Sequence, residues 1–238
     1  MTPTILFETD HELVIDKPSG LLVHPTGRSQ TSNEPTLVDW IIEHYPDSSD
    51  VGEPWEREDG TVIHRSGIVH RLDRETSGVM VVAKTNDGFQ NLKQQFKDRT
   101  VEKIYNCFVY GHLPTKEGTI DRPIGKSAKD FRLWSAQRGA RGTMRDAITD
   151  YTVVAELPEA SFLEVSLRTG RTHQIRVHMK AIHHPIVCDL LYAPKQPCIL
   201  DFDRLALHAR KIGFVSVSGE RVEVEAPLPS IFLKNIAI

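Results

Sequence analysis

An α+β fold on a mainly antiparallel mixed sheet is what this sequence predicts, and two observations carry that expectation. Short runs rich in β-branched and aromatic residues recur with links too tight for crossover helices, while only a few stretches show helical spacing. With 238 residues, 39% hydrophobic and 26% charged, the chain suffices for one substantial core or two small ones, and nothing in its composition marks disorder.

Residues 4–8 (Thr-Ile-Leu-Phe-Glu) and 12–16 (Glu-Leu-Val-Ile-Asp) read as a hairpin turning at Asp10-His11. In the following stretch, Lys17 to Pro25, Pro18 and Gly20 rule out a central strand and set an irregular path. Thr36, with Asp39 three residues on, caps a short amphipathic helix through Leu37, Ile41 and Tyr45 that Pro46 stops. The acidic segment 46–61 reads as a surface loop without an assigned role. A polar loop, His70-Arg71-Leu72-Asp73-Arg74-Glu75-Thr76-Ser77-Gly78, then feeds the apolar strand 79–83. Phe89, Leu92 and Phe96 give a helix over 86–99 its core face, and 101–110 returns as a strand on which Tyr105, Cys107 and Val109 share a side. Residues 149–156 and 161–167 form an antiparallel pair about a Pro158 turn. A helix from about Thr172 turns Ile175, Met179 and Ile182 inward and sets His173, Arg176 and Lys180 on another flank, so that one face packs and the other works. The tail holds 205–209 (Leu-Ala-Leu-His-Ala), a strand at 211–217, a turn at Ser218-Gly219 and a strand at 221–225.

The formal net charge of −3 argues mildly against a nucleic-acid partner, but its distribution argues the other way. Seven acidic residues stand against Arg57 alone between Glu43 and Asp59, and seven basic ones against Asp130 alone between Arg122 and Arg145. Phe131 and Trp134 lie among those arginines and lysines, a mixture suited to phosphate contact with base stacking, or simply a solvated loop. Cys107, Cys188 and Cys198 include no C-x-x-C pair, so buried or incidental thiols are expected in place of a disulfide scaffold or zinc site. His173 and His178 are five apart and do not share a helix face as a metal pair would. No apolar run is long enough to span a membrane, and the start lacks a basic leader, which predicts a cytoplasmic protein.

Asp73 is the candidate for chemistry. Flanking arginines, Arg71 and Arg74, favour its ionised form, the state a nucleophile needs, although a loop aspartate in a salt-bridge network fits the same residues. The nine positions from His70 to Gly78 resemble the central motif of the RluA family of pseudouridine synthases. Lys17-Pro18-Ser19-Gly20, Lys103-Ile104-Tyr105 and Thr169-Gly170-Arg171-Thr172-His173-Gln174-Ile175-Arg176-Val177-His178 resemble its other motifs. The resemblance implies a single catalytic domain over 1–238 with a cleft across its sheet, a monomer without the S4-type RNA-binding domain that many members carry. It also implies isomerisation of uridine to pseudouridine in RNA, ribosomal ahead of transfer RNA, with no cofactor and no metal. On that likeness Asp73 acts at the target ribose, Arg176 is its charge partner, and Tyr105 stacks near the base and accepts its C5 proton. Arg71, Arg74, Lys126, Arg132, Arg138, Arg171 and His173 are expected to contact RNA, the target uridine being flipped out of its stack to be reached. Two other classes stay open on residue types alone. A glycoside or nucleoside hydrolase would need a second carboxylate, and a non-catalytic RNA-binding module would not need Asp73.

Overall fold

The computed structural model describes residues 1–24, 34–56, 60, 62–128, 130, 132–137 and 140–236. It has two compact units, Met1–Glu102 with Lys211–Ala226, and Lys103–Arg210 with Pro227–Ile238.

The first unit opens with β1 (Thr4–Glu8) and β2 (Glu12–Lys17), antiparallel from Thr4↔Asp16 to Glu8↔Leu13 as the hairpin signal predicts. Helix α1 (Leu37–His44) carries the expected capping box: the Asp39 N–H donates to Thr36 Oγ1 (3.3 Å) and the Asp39 carboxylate accepts from the Thr36 N–H (2.8 Å). Within 46–61, read as a loop, the described residues hold a 3-10 turn at Pro46–Ser48 and β3 (Trp55–Glu56), which pairs with β4 (Val62–Ile63) just beyond that stretch. Strand β5 (Ser77–Ala83) pairs antiparallel with β2 and is buried at every position. Cover on both faces is why its sequence is continuously apolar and does not alternate. Helix α2 (Asn86–Asp98) starts on Thr85, whose hydroxyl accepts from the Gly88 N–H, and ends on Arg99 in the left-handed region.

The second unit runs through β6 (Glu102–Tyr110), β7 (Glu117–Asp121), a small three-stranded sheet of β8 (Ile124–Lys126), β9 (Trp134–Ser135) and β10 (Arg141–Arg145), then β11 (Ile148–Leu157) and β12 (Ala160–Leu167). Strands β6, β12, β11 and β7 lie side by side in that order, each neighbour antiparallel. Much of the basic stretch 122–145 is therefore sheet, with β10 exposed at every residue. Helix α3 (Gln174–Ala181) begins two residues later than its spacing predicts. The two tail pieces before Ser218 form one strand, β13 (Leu207–Val215), whose later residues pair with β14 (Arg221–Glu225) in the first unit. A final helix, α4 (Ser230–Ile236), places Phe232 in a ring cluster with Phe108, Phe162 and Phe202, centroids 4.8–6.4 Å apart.

The cysteine expectation needs correction. Cys188 and Cys198 form a disulfide, because the intervening turn brings their Cα atoms to 4.6 Å, while Cys107 is free and its burial pushes the thiol pKa up. Among the described residues, no helix is long and apolar enough to cross a membrane.

Candidate active site

In the first unit, the loop bearing Asp73 is fastened from the segment Lys17–Leu21. Lys17 is fully buried, and its Nζ donates to the carbonyl oxygens of Pro18 (2.9 Å), Leu21 (2.9 Å) and Arg74 (3.1 Å). Three acceptors for three ammonium protons are what an inward-facing lysine requires. The Gly20 N–H also donates to the Arg74 carbonyl (2.8 Å), and the Ser19 hydroxyl to that of Glu75 (2.7 Å). Within the loop the Thr76 N–H closes a turn on the Asp73 carbonyl (3.2 Å). Leu72, Thr76 and Ser77 are buried, Asp73 is half-buried, and Arg71 is exposed. His70 anchors the other end, accepting from the Val81 N–H (3.1 Å) and stacking on Phe96 at 4.7 Å.

Arg74 does not serve only as a flanking charge. Its guanidinium bonds the Gly20 carbonyl and pairs with Glu34 and, at 3.7 Å, with Glu75. His24 lies near the same loop with Nδ1 buried and unbonded, and burial together with the charges of Arg71 and Arg65 takes its pKa down to about 4. A neutral folded imidazole against an ordinary unfolded one means that the unfolded chain binds more protons between pH 6.5 and about 4. Stability is therefore expected to fall on acidification through that window, by roughly 1–2 kcal/mol once solvent screening of the part-exposed ring is allowed for. Urea titrations at pH 7 and pH 4.5 should show this, with a shallower pH slope in His24→Gln.

In the second unit, Tyr105 is half-buried on β6 opposite Val165 of β12 and packs against the core. Helix α3 departs from the two-faced expectation: every residue from Gln174 to Met179 is buried, and only Lys180 is exposed. Its polar residues turn inward to bonds from distant elements. Gln174 accepts from the Thr169 hydroxyl (2.8 Å) and the Arg171 N–H (2.9 Å) and donates to Ile148 O and Thr149 Oγ1 (3.0 Å each). His178 bonds Thr149 Oγ1 (2.8 Å) and the Arg122 carbonyl (2.9 Å), and burial lowers its pKa. These contacts lock α3 to β11, leaving His173 as its left-handed first cap (φ 56°), with Nδ1 2.8 Å from Tyr192 Oη.

Arg176 makes a two-point ion pair with Asp189, Nε to Oδ2 at 2.8 Å and Nη2 to Oδ1 at 2.7 Å. Neither Asp189 nor Tyr192 was singled out from sequence, although Asp-x-x-Tyr is a turn pattern in which the carboxylate accepts from the N–H groups of Leu191 (3.1 Å) and Tyr192 (2.9 Å). Arg171 donates from Nε to the Asp146 carbonyl (2.9 Å). Lys126 is exposed over the Trp134 ring at 4.1 Å. Arg132 pairs with Asp130, and the hydrogen bonds from Arg132 take that carboxyl pKa down to about 2. Arg138, with Lys129 and Phe131, lies outside the described residues. Asp73 belongs to the first unit, Tyr105 and Arg176 to the second.

Residues 11–181 match the RNA pseudouridylate synthase family, and the chain belongs to it. An uncharacterized RNA pseudouridine synthase of Synechocystis is 37% identical over 231 residues, 97% of this chain and 67% of that protein. Ribosomal large subunit pseudouridine synthase D of Zymomonas mobilis is 36% identical over 233 residues, 94% of this chain and 69% of its own length. Among solved structures, human RNA pseudouridylate synthase domain containing 1 superposes with a TM-score of 0.73 at 25% identity, covering 97% of this chain and 86% of that one. The protein is thus an enzyme that isomerises uridine to pseudouridine in RNA.

Proposed function

We propose that the RNA is ribosomal, that of the large subunit, and that Asp73 acts at the target ribose. The observation that carries the placement of the reaction is the buried Lys17, which fastens the backbone beside Asp73 through the Arg74 carbonyl. Three bonds from one buried ammonium, one of them to the Arg74 carbonyl, fix the backbone beside Asp73 in one geometry, which a reacting carboxylate requires. In this reading Arg176 is the charge partner of Asp73, and Tyr105 stacks on the flipped uracil and takes its C5 proton. The enzyme acts as a cytoplasmic monomer without cofactor or metal. Arg71, Arg74, Arg171, His173, Lys126, Arg132 and Arg138 contact the RNA, with Arg71 and Lys126 supported by their exposure. Arg132 contributes less to affinity than Lys126, since Asp130 already holds its charge.

Tritium release from C5-labelled uridine tests the substrate. Release is expected from an unmodified large-subunit ribosomal transcript and not from transfer RNA transcripts. The reverse pattern would move the substrate to transfer RNA.

A further inference from the structure

We infer that Asp189 and Tyr192 are positioning residues, a buried mount that fixes the direction in which Arg176 presents its guanidinium. The inference rests on the reading that Arg176 serves the reaction.

The side chain of Asp189 has no exposed surface and that of Arg176 is 9% exposed. The two-point pair occupies the Nε–Nη2 edge of the guanidinium and thereby orients the opposite, Nη1 edge. Asp189 cannot swing away, because Oδ1 is shared with the N–H groups of Leu191 and Tyr192 and the Ala193 N–H returns to the Asp189 carbonyl (2.7 Å). Tyr192, 3% exposed, sets the third direction: its ring lies 5.0 Å from Arg176 Cζ, and its hydroxyl accepts from the Trp134 N–H (3.1 Å) and bonds His173 Nδ1 (2.8 Å). The segment behind Asp189 is fixed as well. Cys188 is bound to Cys198, and its N–H donates to Tyr110 Oη (3.1 Å), which in turn donates to the Pro197 carbonyl (2.6 Å).

A buried ion pair contributes little to stability relative to apolar residues of the same volume, so so many convergent bonds on one carboxylate are better explained by geometry than by stability. A guanidinium held in this way meets a reacting group without paying for orientation at the moment of reaction.

The test compares Asp189→Asn, which removes the charge, with Asp189→Glu, which keeps the charge balance of the buried pair and moves the carboxylate by one methylene. Turnover is measured by tritium release from the large-subunit transcript, affinity by filter binding of the same RNA, and folding by circular dichroism. The expected result is a fall in kcat of about 100-fold for Asp189→Asn and about 10-fold for Asp189→Glu, with Kd within about threefold, a split that a purely structural role would not give. A folded variant with wild-type kcat, or a loss carried by Kd, overturns the proposal. Independently of turnover, the Arg176 Nε–H should exchange slowly with solvent in the wild type and fast in Asp189→Asn. Unchanged exchange overturns the mount, whereas a wild type inactive on every RNA overturns the functional reading and leaves the exchange result to decide this one.

Discussion

Asp73→Asn is expected to lower pseudouridine formation by a factor on the order of 10⁴ or more while leaving RNA affinity within a few-fold. The substitution keeps the size and planarity of the side chain and removes only its charge. The loop should survive it, because these bonds do not involve the Asp73 carboxylate: the Asp73 carbonyl to Thr76, the Arg74 carbonyl to Lys17 and Gly20, the Glu75 carbonyl to Ser19, and His70 to the Val81 N–H. A loss of rate therefore reports on chemistry. Single-turnover tritium release measures the rate, and filter binding of the same transcript measures the affinity. A variant with undiminished turnover would remove Asp73 from the mechanism, and a parallel fall in affinity would make it a binding residue. Free uracil among the wild-type products would point to hydrolysis at the same carbon.

The first helix and both hairpins were legible because their signals are local. Thr36 and Asp39 sit three apart, and the capping box they spell is formed. The continuous apolar run of β5 and the short link between β11 and β12 likewise state their own structure. Helix α3 was legible as a helix and not as a buried one. Its spacing marks a polar flank, but Thr149, Asp189 and Tyr192, which cover that flank, lie 13 or more residues from their partners in α3 and have no periodic relation to it. The same distance problem hides the pairing of Arg74 with Glu34, since adjacency to Asp73 is visible in sequence and a partner 40 residues away is not. A helix of seven residues, such as α4, is too short to show a period, and a cysteine spacing of ten has no motif attached to it. What the motif residues do is set by these long-range bonds, so the sequence names the residues better than it describes their surroundings.

Lys17→Met should give the second large effect, and it separates holding the loop from reacting in it. Methionine matches the lysine stem in length and apolar volume, so the packing around the chain persists. The carbonyls of Pro18, Leu21 and Arg74 lose the donor they share, and of the three the Arg74 carbonyl keeps the Gly20 N–H. A buried acceptor left without a partner costs about 1–3 kcal/mol, and removing the buried charge returns part of that sum, which leaves a net destabilisation of roughly 2–4 kcal/mol. For a chain of this size that lowers the melting temperature by about 5–15 °C. Turnover, measured well below the variant's melting temperature, should fall by about 100-fold as the Arg74 carbonyl is left with the Gly20 N–H alone and Asp73 is held less rigidly. Lys17→Arg should not restore the rate, since a planar guanidinium cannot direct donors at three carbonyls arranged for a tetrahedral ammonium. A variant that melts early yet turns over normally when folded would make Lys17 a stabiliser of the first unit alone, and the geometry of the Asp73 loop would then have to come from the Gly20 and Ser19 bonds, His70 and the turn at Thr76.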